Sequence, residues 1–354
     1  MADNIIRLKS GGKTFDAFQE VVISKSMLTM SGQFALSTYD FYESNKKDWF
    51  LDMNSLCDVY INDERVCYGY LDDLHFDYGP GRISLAVKGR DFTQDLIDCE
   101  WNQNVNEWKK QTIRSIISNL CSPFNITVVV DADAISNAGV IIDTFKMNEG
   151  EKVSDEILRL CKDYGILPIC YGDGYLTLTN SSTTRKANDG LEMGKNVHHG
   201  KFVQSNRERF SSYTVKGYGV GNDNKTPADY INPIGIFNDS TITRYRPFVN
   251  FTDGSTDSGK CINKAKWEAS IRAGLSRAIF YVTRSWTQSN GRIWGINSEV
   301  RVKDKVFDID ETRLIYEVRY GYDRERGEYS IIGTVHKDTF KINNSINMRT
   351  GFDT

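Results

Sequence analysis

Hydrophobic and polar residues alternate along much of this chain, which is the pattern of β-strands with one buried face. The alternation is clearest at 314–322, where large apolar residues occupy every second position. Short apolar runs bounded by Gly, Asn and Asp predict further strands at 21–23, 33–37 and 59–61. The stretch 74–87 predicts a β-hairpin, because a Gly-Pro-Gly sequence at its centre supplies the turn residues.

The period of the pattern changes in the next part of the chain. Apolar residues recur at helical spacing over 113–120 and again over 153–164, so each stretch predicts a helix with one buried face. Asn148, with Glu151 three residues later, resembles a signal for the start of the second helix. A hairpin is predicted at 166–179, around Gly-Asp-Gly. Together these elements predict a small α+β unit.

The strand pattern returns after residue 197. A short strand is predicted at 212–217, and the residues 219–240 resemble a loop because they are rich in Gly, Asn, Asp and Pro. A helix with an apolar stripe from Trp267 to Ala278 interrupts the strands. Its basic residues, Lys264 among them, are expected to face solvent or a partner.

Two β-rich segments of the sequence are similar. The run 59–63 is followed by a hairpin and the run 82–88, and the run 300–304 is followed by a charged turn and the run 329–335. Any two antiparallel hairpins can share such spacing, so the similarity leaves two interpretations open. The more specific interpretation is two related β-barrels in one chain. A homotrimer of that chain would then present six similar barrels around one axis, closed through heterologous interfaces.

The sequence therefore predicts a β-dominated α+β protein with two β-barrel domains of similar kind and a small α+β domain between them. Its 354 residues correspond to about two to three domains. The expected division is a first barrel at 1–100, an α+β domain with a polar linker from 181 at 101–196, a second barrel with one helix at 197–343, and a polar tail at 344–354.

Composition excludes several classes of protein. Lys and Arg number 44 and Asp and Glu 47, a formal net charge of −3, whereas dedicated nucleic-acid binders carry a basic surplus. No run approaches the ~18 apolar residues of a membrane helix, and the N-terminus lacks the pattern of a secretory signal. The seven cysteines are scattered without a Cys-x-x-Cys pair, so free thiols in a reducing cytoplasm are expected.

Two motifs resemble binding sites but lack parts of them. His198 and His199 have no further metal ligands at a workable spacing, so an exposed pair in a linker is the better interpretation. The run 216–221 is rich in Gly, but no Lys-Ser or Lys-Thr closes it as in a phosphate loop. A strand that leads into a loop is favoured there.

Acidic pairs and tryptophans complete the candidates. Asp131 with Asp133 lacks the Gly and Glu of a calcium loop. The remaining acidic pairs resemble the paired carboxylates of glycosidases but are expected to be solvated turn residues: Asp72 with Asp73, and Asp308 with Asp310. Three tryptophans are expected to pack in the core or at an interface rather than to bind sugars or bases: Trp267, Trp286 and Trp294. We therefore predict no catalytic, cofactor-binding or metal-binding residue, and a protein that is not an enzyme.

An ordered set of residues resembles the baseplate hub proteins of Mu-like contractile-tailed phages, the family of late control protein D. The set covers most of the chain, from about 55 to 340. In chain order its members are Val87-Lys88-Gly89-Arg90-Asp91 with Asp95-Leu96-Ile97-Asp98-Cys99; the stretch 150–176; the stretch 207–217; and Arg244-Tyr245-Arg246-Pro247 with Ala265-Lys266-Trp267-Glu268, Trp286, Gly291-Arg292-Ile293-Trp294, Asn297 and Val300-Arg301-Val302.

The resemblance implies a homotrimeric hub with two barrel domains per subunit. Such a hub lies between the tail tube and the central membrane-piercing spike and leaves a channel through which DNA passes without specific binding. The implied location is the virion baseplate, after assembly in the bacterial cytoplasm. The chain more distantly resembles the N-terminal part of type VI secretion spike proteins, which continue into a further barrel and a needle. Because this chain stops at Thr354, a separate spike protein is expected as the partner, along with tail tube and baseplate proteins.

Two other functions remain open on the sequence alone. One is a β-rich, tail-associated protein that binds or hydrolyses cell-wall polysaccharide, in which Asp72, Asp73 or a tryptophan would contribute to the activity. The other is a fragment of a type VI spike protein.

Overall fold

The computed structural model describes residues 5–39, 51–80, 82–182, 184–218 and 232–343. The strands predicted at 21–23, 33–37 and 59–61 are confirmed, as is the hairpin at 74–87. Up to Asp91 the described strands are β1 (Ile6–Ser10), β2 (Lys13–Phe15), β3 (Glu20–Ser26), β4 (Gln33–Tyr39), β5 (Leu56–Ile61), β6 (Glu64–Gly79) and β7 (Arg82–Asp91).

Helices and short strands alternate in the middle of the chain. They are α1 (Gln94–Asp98), β8 (Glu107–Thr112), α2 (Ile113–Cys121), β9 (Val128–Val130), α3 (Ile135–Ala138), β10 (Ile141–Lys146), α4 (Val153–Asp163), β11 (Leu167–Ile169) and β12 (Leu176–Thr179). The two predicted helices and the hairpin at 166–179 are confirmed. The predicted helix start at Asn148 is wrong: α4 begins at Val153, and the Asn148 N–H donates to the buried Glu156 carboxylate.

The last part of the described chain returns to strands around one long helix. Its elements are β13 (Leu191–Glu192), β14 (Val197–Gln204), β15 (Ser212–Tyr218), β16 (Ile234–Asn238), β17 (Pro247–Ser255), α5 (Ser258–Leu275), β18 (Arg277–Thr283), β19 (Ser298–Asp304), β20 (Ile309–Asp323) and β21 (Gly327–His336). The strands at 212–217 and 314–322 are confirmed. The loop predicted over 219–240 is wrong at β16, and its residues 219–231 lie outside the described part. Ala278 lies in β18 and not on the helix.

One large sheet joins the two β-rich parts of the chain. Thirteen of the described strands belong to it, in the order β14-β18-β21-β20-β3-β4-β7-β6-β5-β1-β2, with β19 beside β20 and β13 beside β19. The joint between the parts is the antiparallel pairing of β20 with β3. Smaller sheets are formed by β10-β8, by β11-β12-β9 and by β16-β15-β17. The fold is therefore β-dominated α+β, as predicted.

The two β-rich parts share one strand order. In the first part the order is β3-β4-β7-β6-β5, and in the second it is β14-β18-β21-β20-β19. Every neighbouring pair in both series is antiparallel. Among the described strands neither series closes on itself through hydrogen bonds, so the closure of each into a separate barrel stays a prediction.

The segment predicted as a polar linker lies along the edge of the second part. Leu191 and Glu192 pair in parallel with β19, Lys186 forms a bridge to Glu299, and Leu191 is buried. Lys186, Leu191 and Glu192 therefore contact the second β-rich part, whereas Arg185 binds Asp131 of the α+β part. The division of the chain into domains stays a prediction.

The buried apolar residues of the described chain form three hydrophobic cores. The largest extends from Ile6 to Phe340 and is built from residues of the large sheet together with residues of β11 and α5. The second lies around α2 and α4. The third lies between α5 and the sheet β16-β15-β17, where Cys261, Ala265 and Ala269 pack against Tyr213 and Val215.

Lys264 does not face solvent, in contrast to the prediction for the basic residues of α5. It is buried, and its ammonium group donates to the Asp163 carboxylate and, at 2.7 Å, to the Phe251 carbonyl oxygen. The pair connects α5 to α4 and β17.

Candidate assembly surfaces

The hairpin of β6 and β7 extends beyond β5. β5 pairs with β6 only as far as Tyr70, while β7 accompanies β6 to Gly79. We call residues 72–79 of β6, together with their partners on β7, the arm. All residues of β6 from 72 to 79 are exposed except Leu74, which is half-buried. β7 pairs on its other side with β4 as far as Ser84, so β6 is the edge strand of the arm, and its outer side has no described partner beyond Tyr70. An unpaired strand edge is a template for pairing with a further strand.

The two faces of the arm differ in chemistry. On one face, Phe76 and Tyr78 are 38% and 81% exposed and stand opposite Leu85 and Ile83 of β7. On the other face the β6 residues are Asp73, His75 and Asp77. Aromatic residues are enriched in the cores of protein interfaces. The arm therefore has one apolar, aromatic face and one polar face, on which the β6 edge carries Asp73 and Asp77 and Lys88 of β7 stands opposite Asp73.

Arg90 anchors the base of the arm. The pairing of β6 with β7 shifts register between Leu71 and Asp73, and the Asp72 carboxylate accepts from Arg90 Nε at 2.7 Å and Nη2 at 3.1 Å. The same guanidinium donates to Asp98 at the end of α1, at 2.6 Å. These hydrogen bonds lower the pKa of Asp98 and raise that of Arg90. Arg90 thereby ties the arm to α1.

The residues on either side of Arg90 have structural roles of their own in the run 87–91. A Cβ atom on Gly89 would lie 2.3 Å from the Tyr70 carbonyl oxygen, so only glycine fits against β6. Asp91 is fully buried and accepts from the backbone N–H groups of Gly32, at 2.8 Å, and Tyr68, at 3.3 Å. The run 87–91 thus forms a structural junction between β6, β7 and the turn at Gly32.

The outer edge of β14 is a second surface. β14 pairs with β18 on one side and is the last strand of the large sheet, and no described strand continues along its other side beyond the bridge at Val197. Phe202 points to the core face and contacts Phe307. His199 and Lys201 are exposed on the opposite face. A strand edge of this length is a template for pairing with another strand.

The paired histidines lie in this strand. His198 and His199 are exposed as predicted, but they belong to β14 and not to a linker. Within the described ranges, no group of three or more His, Cys, Asp or Glu residues is arranged to hold a metal ion. Of the run 216–221, Lys216 and Tyr218 end β15, and 219–221 lie outside the described part.

The acidic pairs form no shared site in the described structure. Asp72 is held by Arg90, and Asp73 lies 4.0 Å from His75. Asp310 pairs with Arg301 at 2.7 Å. Asp131 accepts from Arg185 and from the Tyr171 hydroxyl, each at 3.1 Å.

The three tryptophans are buried, which confirms their packing role. Trp286 donates from its ring nitrogen to the Gly321 carbonyl oxygen at 2.8 Å, and the carbonyl of Trp294 accepts from the Tyr320 hydroxyl. Trp267 lies on α5 against the loop at Gly165.

None of the described helices is both long enough and apolar enough to cross a membrane.

Comparison with known proteins gives three family models and several relatives. The N-terminal model of the Mu phage baseplate assembly protein GpP matches residues 5–91, the second-domain model of the baseplate hub protein gp44 matches 93–180, and the fourth-domain model of GpP matches 257–343. The baseplate hub protein gp44 of Escherichia phage Mu is 27% identical over 322 residues, which are 88% of this chain and 82% of gp44.

Solved structures decide the assignment. The 43 kDa tail protein of prophage MuSo2 from Shewanella oneidensis is 30% identical with a TM-score of 0.82, over 95% of this chain and 100% of that one. The chain belongs to the Mu-like phage baseplate hub family. A tail protein from Neisseria meningitidis, 18% identical with a TM-score of 0.81 over 96% and 98% of the two chains, has the same fold. This hub protein is therefore a structural component of the phage tail baseplate.

The hub protein has a third open surface, on the sheet β16-β15-β17. The face that points away from α5 exposes Ile236 and Val249 on either side of Thr214, and Ile234 and Phe251 on either side of Lys216. Apolar side chains in contiguous rows are typical of protein contact surfaces.

A cavity of about 590 Å³ lies where the three parts of the hub protein meet. Residues from α4, α5, β11 and the turn after β3 line it, among them Leu28, Leu158 and Ile271. The buried ring nitrogen of Trp267, also in the lining, has no hydrogen-bond partner among the described residues.

Sequence reasoning located the hairpin of the arm but not its exposure. The alternation of Leu74, Phe76 and Tyr78 with acidic and His residues predicts a strand with one buried face. The alternation does not reveal how long the neighbouring strand is. The arm is exposed because β5 ends before the arm begins.

Proposed function

We propose that this hub protein assembles as a homotrimeric ring that connects the tail tube to a central spike. The observation that carries the proposal is the repeated strand order of the two β-rich parts, β3-β4-β7-β6-β5 and β14-β18-β21-β20-β19. Three copies would place six similar units around one axis. Such a ring offers near-sixfold symmetry to the tube and keeps threefold symmetry for a trimeric spike.

The proposed partners are a separate spike protein, the tail tube and other baseplate proteins. Support for the spike comes from the fold: a type VI secretion component from E. coli, described as structurally similar to the T4 tail proteins gp27 and gp5, shares it with a TM-score of 0.57 at 8% identity. DNA would pass through the centre of the ring. The near balance of 44 basic and 47 acidic residues suits a channel that does not hold phosphates.

The domain division and location belong to the same proposal. We propose barrels at 1–100 and 197–343, separated by the α+β domain at 101–196 and followed by the tail 344–354, which lies outside the described residues. The protein would act mechanically, without cofactor or catalysis, in a virion assembled in the host cytoplasm.

Light scattering after size-exclusion chromatography tests the assembly directly. The trimer has an expected mass of about 121 kDa, three times the chain mass of 40.3 kDa. Negative-stain top views should show a threefold ring with a central hole. Compact monomers at micromolar concentration would refute the proposal. Binding or cleavage of cell-wall glycan by the monomer, lost when Asp72, Asp73 or a tryptophan is replaced, would support the polysaccharide function instead.

A further inference from the structure

The similarity of the two β-rich parts extends to the details of their strands. β6 has 16 residues and β7 has 10, and their counterparts β20 and β21 have 15 and 10. In each part the long strand shifts register against its partner once, between Leu71 and Asp73 in β6 and between Ile315 and Glu317 in β20. The shifts divide each long strand into a near half and a far half. The far half of β6 is the arm.

Within the chain, the far half of β20 is covered by a strand from the other part. β19 pairs with β20 only up to Ile315, and β3 continues on that side, with Ile23 opposite Tyr320 and Val22 opposite Gly321. Tyr320 and Ile23 are each 1% exposed. The joint between the parts is thus a β3 edge paired to the far half of the long strand.

The arm and β14 are the other two edges of this kind, and they do not pair with each other within the described chain. The arm is the counterpart of the far half of β20, and no described strand lies beside it where β5 ends. β14 is the counterpart of β3, and it is the last strand of the sheet. We propose that β14 of one copy pairs with the arm of the next copy, so that the joint inside the chain is repeated between chains. The proposal rests on the homotrimeric ring proposed above.

The existing pairings assign a register to this contact. Two series of directly opposite residues start just before the register shift and cross each part to its edge strand. They are Leu71–Gly89–Phe34–Ile23 and Ile315–Thr334–Ile279–Phe202. Phe202 is therefore the counterpart of Ile23, and Lys201 that of Val22. Asp73 and Glu317 are the first paired residues after the two register shifts and therefore correspond to each other. Three residues further along each strand, Phe76 corresponds to Tyr320. Asp77 then corresponds to Gly321. The contact thus places Phe76 opposite Phe202 and Asp77 opposite Lys201.

This register matches the chemistry of both edges. Directly opposite residues of paired strands share a face of the sheet. The aromatic face of the arm would continue the core face that carries Phe202, and its polar face, with Asp77 on the β6 edge, would continue the face that carries His199 and Lys201. Opposite charges would meet at Asp77 and Lys201.

Two other edge strands, β2 and β8, fit the arm less well. β2, at the other end of the large sheet, has three residues, whereas β14 has eight, the number in the β6 half of the arm. The basic strand β8 carries Lys109 and Lys110, but Lys110 has a φ of 50°, which interrupts an extended edge. Lys109 is therefore a matched control for Lys201.

Charge exchange tests the contact. Asp77→Lys and Lys201→Asp each place like charges opposite one another, so each variant should raise the concentration at which half of the trimer dissociates by about tenfold or more. The double variant Asp77→Lys with Lys201→Asp should restore the wild-type value. Lys109→Asp makes the same change of charge on another edge and should leave the trimer unchanged. Circular dichroism confirms that each variant is folded.

Disulfide trapping tests the register. The pair Asp77→Cys with Lys201→Cys should give covalently linked chains under mild oxidation, because directly opposite Cβ atoms in paired strands are about 4.5–5.5 Å apart. The offset pair Asp73→Cys with Lys201→Cys places the thiols about 13 Å apart along the strand and should give no more cross-linking than the wild type.

The outcomes separate this contact from the assembly itself. A wild-type monomer refutes both the ring and the contact. A wild-type trimer whose stability is unaffected by Asp77→Lys and Lys201→Asp refutes the contact and leaves the ring intact. A trimer weakened by each single change, restored by the double change and cross-linked only by the in-register pair establishes it.

Discussion

Asp91 is the residue on which the junction of the first β-rich part depends. It is fully buried, and its two carboxylate oxygens accept from the backbone N–H groups of Gly32 and Tyr68. A buried N–H without an acceptor costs roughly 1–3 kcal/mol. Asp91→Ala leaves both groups unpaired, so we expect the free energy of unfolding to fall by about 2–6 kcal/mol. Urea unfolding followed by circular dichroism measures it.

An exposed acid provides the control for this change. Asp16 lies in a loop with its side chain in solvent, and Asp16→Ala should change the free energy of unfolding by less than about 0.5 kcal/mol. Equal effects of the two substitutions would contradict the role given to Asp91.

At the scale of elements, one buried ion pair connects α4 to α5. The side chains of Lys264 and Asp163 are 5% and 11% exposed, and Lys264 also binds the Phe251 carbonyl of β17. Removing one partner of a buried pair leaves an uncompensated charge, which costs roughly 3–5 kcal/mol. Asp163→Ala should therefore lower the free energy of unfolding by about that amount, measured by denaturant titration.

A double substitution distinguishes the lost charge partner from lost packing. Asp163→Leu with Lys264→Met removes both charges and keeps apolar volume, and should be less destabilising than Asp163→Ala. Lys305→Ala, at an exposed lysine, is the neutral control. A double variant as unstable as Asp163→Ala would show that the pair does not act through its charges.

Elements with strong periodicity could be predicted from the sequence, and elements set by long-range contacts could not. The stripe of α2 and the alternation in β20 correspond to faces that are buried in the structure. β16 escaped prediction because its residues follow a Gly- and Asp-rich stretch, and its pairing with β15 supplies what local pattern does not. The charge of Lys264 can be buried because the Asp163 carboxylate, about a hundred residues earlier, and the Phe251 carbonyl oxygen both accept hydrogen bonds from it.

In the whole molecule, the repeat of the two β-rich parts also depends on long-range contacts that the local sequence pattern does not show. The sequence suggested a repeat through two similar runs, but an equal hairpin spacing can arise by chance. The shared order of five strands, with a register shift at the same place in each long strand, makes the repeat a property of the fold. It also identifies which strand edges have no partner strand among the described residues, which no local pattern encodes.

If three copies share their edges, the stability of the fold depends on protein concentration. A trimer that dissociates as it unfolds loses stability on dilution, because unfolding releases three chains. For a chain of this length we expect the melting temperature to fall by about 1 °C for each tenfold dilution. Calorimetry over a hundredfold range, at scan rates that leave the melting temperature unchanged, measures the slope. Asp77→Lys, in the range where it is monomeric, should show no slope. A wild-type melting temperature independent of concentration would mean that folding of this chain does not depend on its neighbours.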